Sequence, residues 1–192
     1  MKNKTEHQIH DLLGARWSPY AFDPDRDVGT EDLTSLFEAA RWTMSSYNEQ
    51  PWRFIVGVRS RDQPTWDQVF SVLLEGNQVW AKNAPVLVLG IAEHNFARNG
   101  EINKAAVHDL GAASASITFE ATARGLNVHQ MIGINPEKAR ETFALSVSLE
   151  PLTALAIGFA GAPEAVDEAI AERDARPRER KTFQEIILRG GF

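Results

Sequence analysis

Three segments of the 192-residue chain carry side chains able to grip a ligand. In Arg16-Trp17-Ser18-Pro19-Tyr20-Ala21-Phe22 a guanidinium and a hydroxyl lie two residues apart, beside backbone amides just past a helix end. That combination suits a phosphate, which a planar fork of N–H donors meets in bidentate fashion. An ion pair from Arg16 to Asp23 or Asp25 is the competing reading. In Met44-Ser45-Ser46-Tyr47-Asn48-Glu49-Gln50-Pro51-Trp52 the residues Ser45, Ser46, Asn48 and Gln50 offer a dense set of donors and acceptors. This exceeds what a simple turn needs and suits the edge of a polar heteroaromatic ring, with Pro51 fixing the approach to the next strand. In Gln130-Met131-Ile132-Gly133-Ile134-Asn135-Pro136 a glycine stands between two isoleucines, as where a backbone comes close to something, and its amide is available to donate.

Other chemistries are excluded. The absence of cysteine removes disulfides, thiolate metal sites, iron–sulfur ligation and a thiol nucleophile together. No phosphate-binding glycine loop, nucleophile elbow or zinc helix is present. His7 and His10 lie one helical turn apart without a third ligand and read as a solvated face, so no metal is expected. His108-Asp109 makes no triad with Ser116 and reads as structural or site-lining, and no side chain is assigned as catalytic. A net charge of −6 disfavours nucleic acid. The N-terminus leads into no apolar signal segment, and the longest apolar runs, 85–92 and 152–162, fall short of the ~20 residues of a membrane span. Composition, 43% hydrophobic and 24% charged, is that of one soluble globular domain, expected in the cytoplasm.

The elements that must position these segments are legible in outline. Ile9, Leu12 and Leu13 predict a short helix over 5–14 ending at Gly14. Thr30 caps a second helix with Leu33, Leu36, Phe37 and Ala40 inward. Residues 52–58 read as a strand. Pro64 starts a helix with Trp66, Val69, Phe70 and Leu73 inward and Gly76 as its stop. Residues 86–91 are apolar without alternation, a strand covered on both faces. The longest helix spans 102–124, and its small-residue centre, 111–116, places it in the middle of the fold or at a subunit interface. Asn135 and Pro136 open a short helix, 152–159 forms another strand, and Pro163 starts a helix that fades near Ala171. A basic stretch, 173–181, is followed by a strand-like patch, 182–188. The pattern divides evenly between an arm reaching a partner chain and a frayed tail. Four or five strands among helices make an α/β or α+β domain, which periodicity does not decide.

The blocks Arg-Trp-Ser-Pro-x-Ala-Phe, Ser-Ser-Tyr-Asn-Glu-Gln-Pro-Trp-x-Phe and Met-Ile-Gly with its following Asn-Pro, then Arg178 and Arg180, resemble the FMN-dependent nitroreductase family in order and spacing over residues 9–187. The resemblance implies an α+β fold: a nitroreductase-like α/β/α sandwich on a mainly antiparallel sheet, extended by a C-terminal strand swapped from the partner subunit. It implies an FMN-binding domain, 1–172, with an arm, 173–192, lying on the partner of a homodimer that holds two FMN molecules at its interface. The phosphate site maps onto Arg16, Ser18, Arg178 and Arg180, with Trp17 serving through backbone and packing. Charge-assisted hydrogen bonds of about 1.5–3 kcal/mol each would hold FMN without a covalent link. Ser45, Ser46, Asn48 and Gln50 of the other subunit would line the ring and ribityl chain. Ile132 and Gly133 would offer amides near flavin N5 and O4, and Asn77 or Lys82 would meet the pyrimidine edge.

Four departures stand out. Tyr20 replaces a basic residue common near the pyrimidine, Ile132 replaces a glutamate found in some members, Met44 replaces a common proline, and the connection 93–100 is short, which opens the pocket. The implied activity is a ping-pong reaction in which hydride passes from NAD(P)H to FMN and then to a nitroaromatic, quinone or flavin, with Tyr47 on the substrate side. The alternatives are a flavin-binding sensor or store without turnover, and another flavin reaction on the same scaffold, such as dehalogenation or dehydrogenation. The resemblance names neither the physiological acceptor nor the preferred nicotinamide.

Overall fold

A computed structural model describes residues 5–190. Its centre is a four-stranded sheet in the order β1 (Trp52–Val58), β2 (Val86–Glu93), β4 (Leu149–Gly158), β3 (Asn127–Met131). Every neighbouring pair is antiparallel, with Phe54 opposite Gly90, Val88 opposite Leu155 and Gln130 opposite Leu155. The central strand β2 explains its unbroken apolar run: Val86, Val88 and Ala92 enter one core layer, and Leu87, Leu89 and Ile91 enter the other. Successive side chains of a strand point to opposite faces, so a strand buried on both sides has no polar register.

The first layer is built by α2 (Thr30–Arg41) and α5 (Ala106–Ala123). Ala106, Leu110, Ala113, Ile117 and Ala121 form the buried stripe of α5, and Leu33, Leu36 and Ala40 that of α2. On the other face lie α3 (Gln63–Ser71), α4 (Glu75–Ala81), α6 (Pro136–Phe143) and α7 (Glu168–Ala175), burying Trp66, Val69, Trp80, Ala139 and Ile170. The result is the α+β sandwich with helices on both faces. At Gly57 of β1 an added Cβ would stand 2.4 Å from Trp66 Cα, so glycine is what lets α3 lie directly on the strand.

Several element boundaries differ from those predicted. The first helix, α1, spans only Asp11–Ala15, because His10 caps it through its side chain, and Gly14 is buried inside it. Gly29, not Thr30, is the cap of α2. The helix from Pro64 breaks into α3 and α4, and Gly76 lies within α4 rather than ending α3. The break is held by main-chain bonds to the segment after β3: Leu74 N–H donates to Gly133 O at 2.9 Å and Asn135 N–H to Val72 O at 2.8 Å. Strand β3 lies in a stretch the periodicity left unassigned. The helix predicted from 102 starts at Ala106, after a bridge from Asn95 to Ile102.

The strand expected over 182–188 is absent. Thr182 and Glu185 form a capping box and Phe183–Ile186 makes one helical turn, α8. A seven-residue stretch with four apolar residues carries no decisive period, and the reciprocal Thr–Glu hydrogen bonds select the helix.

Candidate functional site

Residues 16–22 run from the end of α1 over the edge of the second core layer. Arg16 Nη1 donates to Ser18 Oγ at 3.1 Å, so the guanidinium and hydroxyl form one unit. The main chain beyond is held by α7: the Asp174 carboxylate accepts the N–H groups of Tyr20, at 2.8 and 3.0 Å, and Ala21, at 2.8 Å. Arg173 stacks over the Tyr20 ring at 3.9 Å and donates to its hydroxyl at 2.7 Å. His129 of β3 backs the same turn through an Nδ1 contact to Pro19 O at 2.8 Å, its ring 4.3 Å from that of Trp80. No local pattern marks Asp174, Arg173 or His129 as supports of this turn. Each acts on a backbone turn more than 100 positions away, and only the fold supplies that relation.

Past α7 the chain returns to Arg16. Arg16, Arg178 and Arg180 line one open cleft of about 800 Å³, together with Leu13, Phe119 and Phe183. Arg178 lies over the Trp17 ring, 4.9 Å from its centroid. Burial pushes the pKa of Arg16 down, and the charge of Arg180 pushes it further. Arg178 is lowered by burial first and then by Arg16 and Arg180, with Asp174 opposing. Three cations from the two ends of the chain therefore repel one another across a partly dehydrated cleft. An anion with several oxygens relieves that repulsion and accepts the N–H forks. The donor set fits a phosphate.

The second segment sits at the other end of α5. The helical turn Ser46–Asn48 precedes β1, and Tyr47, Asn48 and Gln50 have φ of 54°, 55° and 52°. Three non-glycine residues in the left-handed region cost ~1–3 kcal/mol each and persist only where surrounding contacts impose them. Asp109, buried in α5, accepts the Ser46 N–H at 2.9 Å and meets His108 Nδ1 at 3.1 Å. Ser45 Oγ accepts the Gln50 N–H at 3.1 Å, and Gln50 Nε2 donates to Asn48 O at 3.2 Å. The His108-Asp109 pair thus shapes this loop.

The third segment joins the loop between α3 and α4. Asn77 Nδ2 donates to Gly133 O at 2.9 Å, and a Cβ on Gly133 would stand 2.4 Å from the same nitrogen. The close approach expected at Gly133 is therefore met by Asn77. Ile132 beside it is 85% exposed. Lys82, expected as the alternative to Asn77 at the pyrimidine edge, caps the end of α4, and its carbonyl accepts from Arg59.

The structure thus brings Arg16, Arg178 and Arg180 into one cleft, with Ser18 bonded to Arg16 and Trp17 beneath Arg178. Ser45, Ser46, Asn48 and Gln50 are gathered in a separate loop. Phe119 at the cleft and Asp109 at the loop are ten positions apart on α5, about 15 Å of helix. Among the described residues no group of three or more potential ligands could hold a metal ion. No helix among them is long and apolar enough to cross a membrane.

The fold and the sequence together place the chain in a known class. The nitroreductase family model matches residues 13–159, and the chain belongs to that family. It is 35% identical over 144 residues to an uncharacterized 15.4 kDa protein of Mycolicibacterium smegmatis, covering 72% of this chain and 95% of that protein. It is 28% identical over 219 residues to the major NAD(P)H-flavin oxidoreductase of Aliivibrio fischeri, covering 93% and 96%. A crystal structure of an FMN-containing oxidoreductase superposes with a TM-score of 0.89 at 30% identity, covering 99% of this chain and 96% of the other.

Proposed function

We propose that the chain is an FMN-dependent oxidoreductase that takes hydride from NAD(P)H and reduces nitroaromatics, quinones or flavins by a ping-pong mechanism. The observation that carries the reading is the cleft where Arg16, paired with Ser18, converges with Arg178 and Arg180. These residues hold the FMN phosphate, and Asp174 keeps the backbone of the 16–22 turn in place for them. Bound FMN supplies the hydride chemistry. Ile132 and Gly133 present main-chain amides to the ring edge, and Gly133 is positioned for this by Asn77. No side chain acts as general acid or base.

The chain works as a homodimer. Ser45, Ser46, Asn48 and Gln50 are held apart from the arginine cleft of their own protomer, and they line the flavin of the other one. The arm, 173–192, completes the phosphate grip through Arg178 and Arg180. Ping-pong order follows if the nicotinamide and the acceptor use the same exposed face above that loop in turn.

Two measurements test the reading. Anaerobic NADH or NADPH should bleach the visible flavin spectrum of the purified protein, and a nitroaromatic or quinone should restore it. A protein that binds FMN and is bleached by neither nicotinamide is a sensor or store instead. Replacing Arg16 and Arg180 together by Ala should abolish FMN retention through gel filtration. Undiminished yellow colour in that variant would place the phosphate elsewhere.

A further inference from the structure

The turn between β2 and α5 carries a cation that the flavin reading does not use. Residues 96–100 fold back so that Phe96 N–H donates to Glu101 O at 2.8 Å, and the turn docks on the strained loop through Ala97 N–H to Glu49 Oε1 at 2.7 Å. Phe96 meets the Tyr47 ring edge-on at 6.0 Å between centroids. The Arg98 guanidinium lies over both rings, 4.6 Å from the centroid of Tyr47 and 5.0 Å from that of Phe96. Tyr47 itself is 77% exposed and is held outward by its left-handed backbone.

The carboxylates of this turn and of the strained loop hold it together through hydrogen bonds. Glu49 accepts the Ala97 N–H, Glu93 accepts the Asn95 N–H, and Glu101 accepts from Asn99. Among the described residues Arg98 makes no ion pair. Stacking on two rings orders the guanidinium and leaves its N–H edge available, so little rotamer freedom remains to be lost on binding. A cation of this kind beside an exposed aromatic ring suits an aromatic ligand that also bears an oxyanion.

We propose that Arg98 is a specificity-determining residue that selects substrates carrying a carboxylate or phosphate beside their ring-binding portion. The inference rests on the reading that the 45–50 loop lines the flavin. The oxyanion has two sources: a carboxylated acceptor, or the additional phosphate that distinguishes NADPH from NADH.

The flavin-loaded enzyme and its Arg98→Gln and Arg98→Lys variants separate these sources in the two half-reactions. The oxidative arm compares 4-nitrobenzoate with nitrobenzene, and the reductive arm compares NADPH with NADH. Arg98→Gln should lower kcat/KM for the anionic member of one pair by about tenfold, mainly through KM, as loss of one charge-assisted hydrogen bond implies. The neutral or less charged member should change less than about twofold, and Arg98→Lys should recover part of the loss. The pair that responds identifies the source. If the variant treats both members of each pair alike, or changes neither, the role of Arg98 is overturned while the flavin reading stands. A wild-type protein that takes up no FMN overturns the flavin reading and this inference with it.

Discussion

The turn at residues 16–22 is held by groups that no local pattern announces. His129 shows how such support makes the site sensitive to pH. Burial pushes its pKa below the ordinary 6.5, and the contact to Pro19 O only partly opposes this. The folded chain therefore keeps the ring neutral, while the unfolded chain takes up a proton as pH falls through about 6.5. Stability should be level above that pH. Below it, stability should fall by up to about 1.4 kcal/mol per pH unit until the folded ring also titrates. Urea midpoints near pH 5 and near pH 7.5 should diverge for the wild type and draw together in His129→Gln.

At the scale of elements, the close contact of α3 with β1 is the most exposed to a single substitution. A Cβ at Gly57 would meet main-chain atoms of Thr65 and Trp66 within 2.9 Å, which no rotamer change relieves. Gly57→Ala should push α3 off the strand and destabilise the chain by about 1–3 kcal/mol, read as a lowered urea midpoint. The elements also mark what a sequence can reveal. Strand β1 was read at its observed bounds, because Trp, Phe, Ile and Val in seven positions leave no other period. The α3–α4 break was hidden, because bonds from the chain 60 positions onward hold it. The stretch 182–188 makes a helical turn where its apolar residues predict a strand, because its outcome depends on one capping pair. Of the candidate site, the residue types at 16–18 and 45–50 read locally as ligand-gripping chemistry, while Arg178 and Arg180 enter only through the family resemblance. The buried carboxylate of Asp109 and the clamp by Asp174 were not legible, since each serves a distant main chain.

At the scale of the molecule, α5 leaves a small-residue surface outward. Gly111 is exposed, and a Cβ there would meet nothing within 4 Å. Trp42, Met44 and Val107 are exposed as well, at 77%, 79% and 47%. In the proposed homodimer this face is the candidate for the close approach of a second backbone. Gly111→Leu should therefore fold as well as the wild type, since helix propensity improves, yet sediment as a monomer and lose FMN. Sedimentation velocity and visible absorbance check both outcomes. A dimeric, yellow variant would move the interface elsewhere.

The arginine cleft also has a consequence for biosynthesis. Arg16 precedes all four strands in the chain, whereas Arg178 and Arg180 follow all four strands and the helices between them. A nascent chain can complete its sheet and both core layers while its cationic cleft is still missing two of three arginines. On the proposed reading, cofactor capture follows completion of the core, and flavin in a purified preparation reports that translation ran through Arg180.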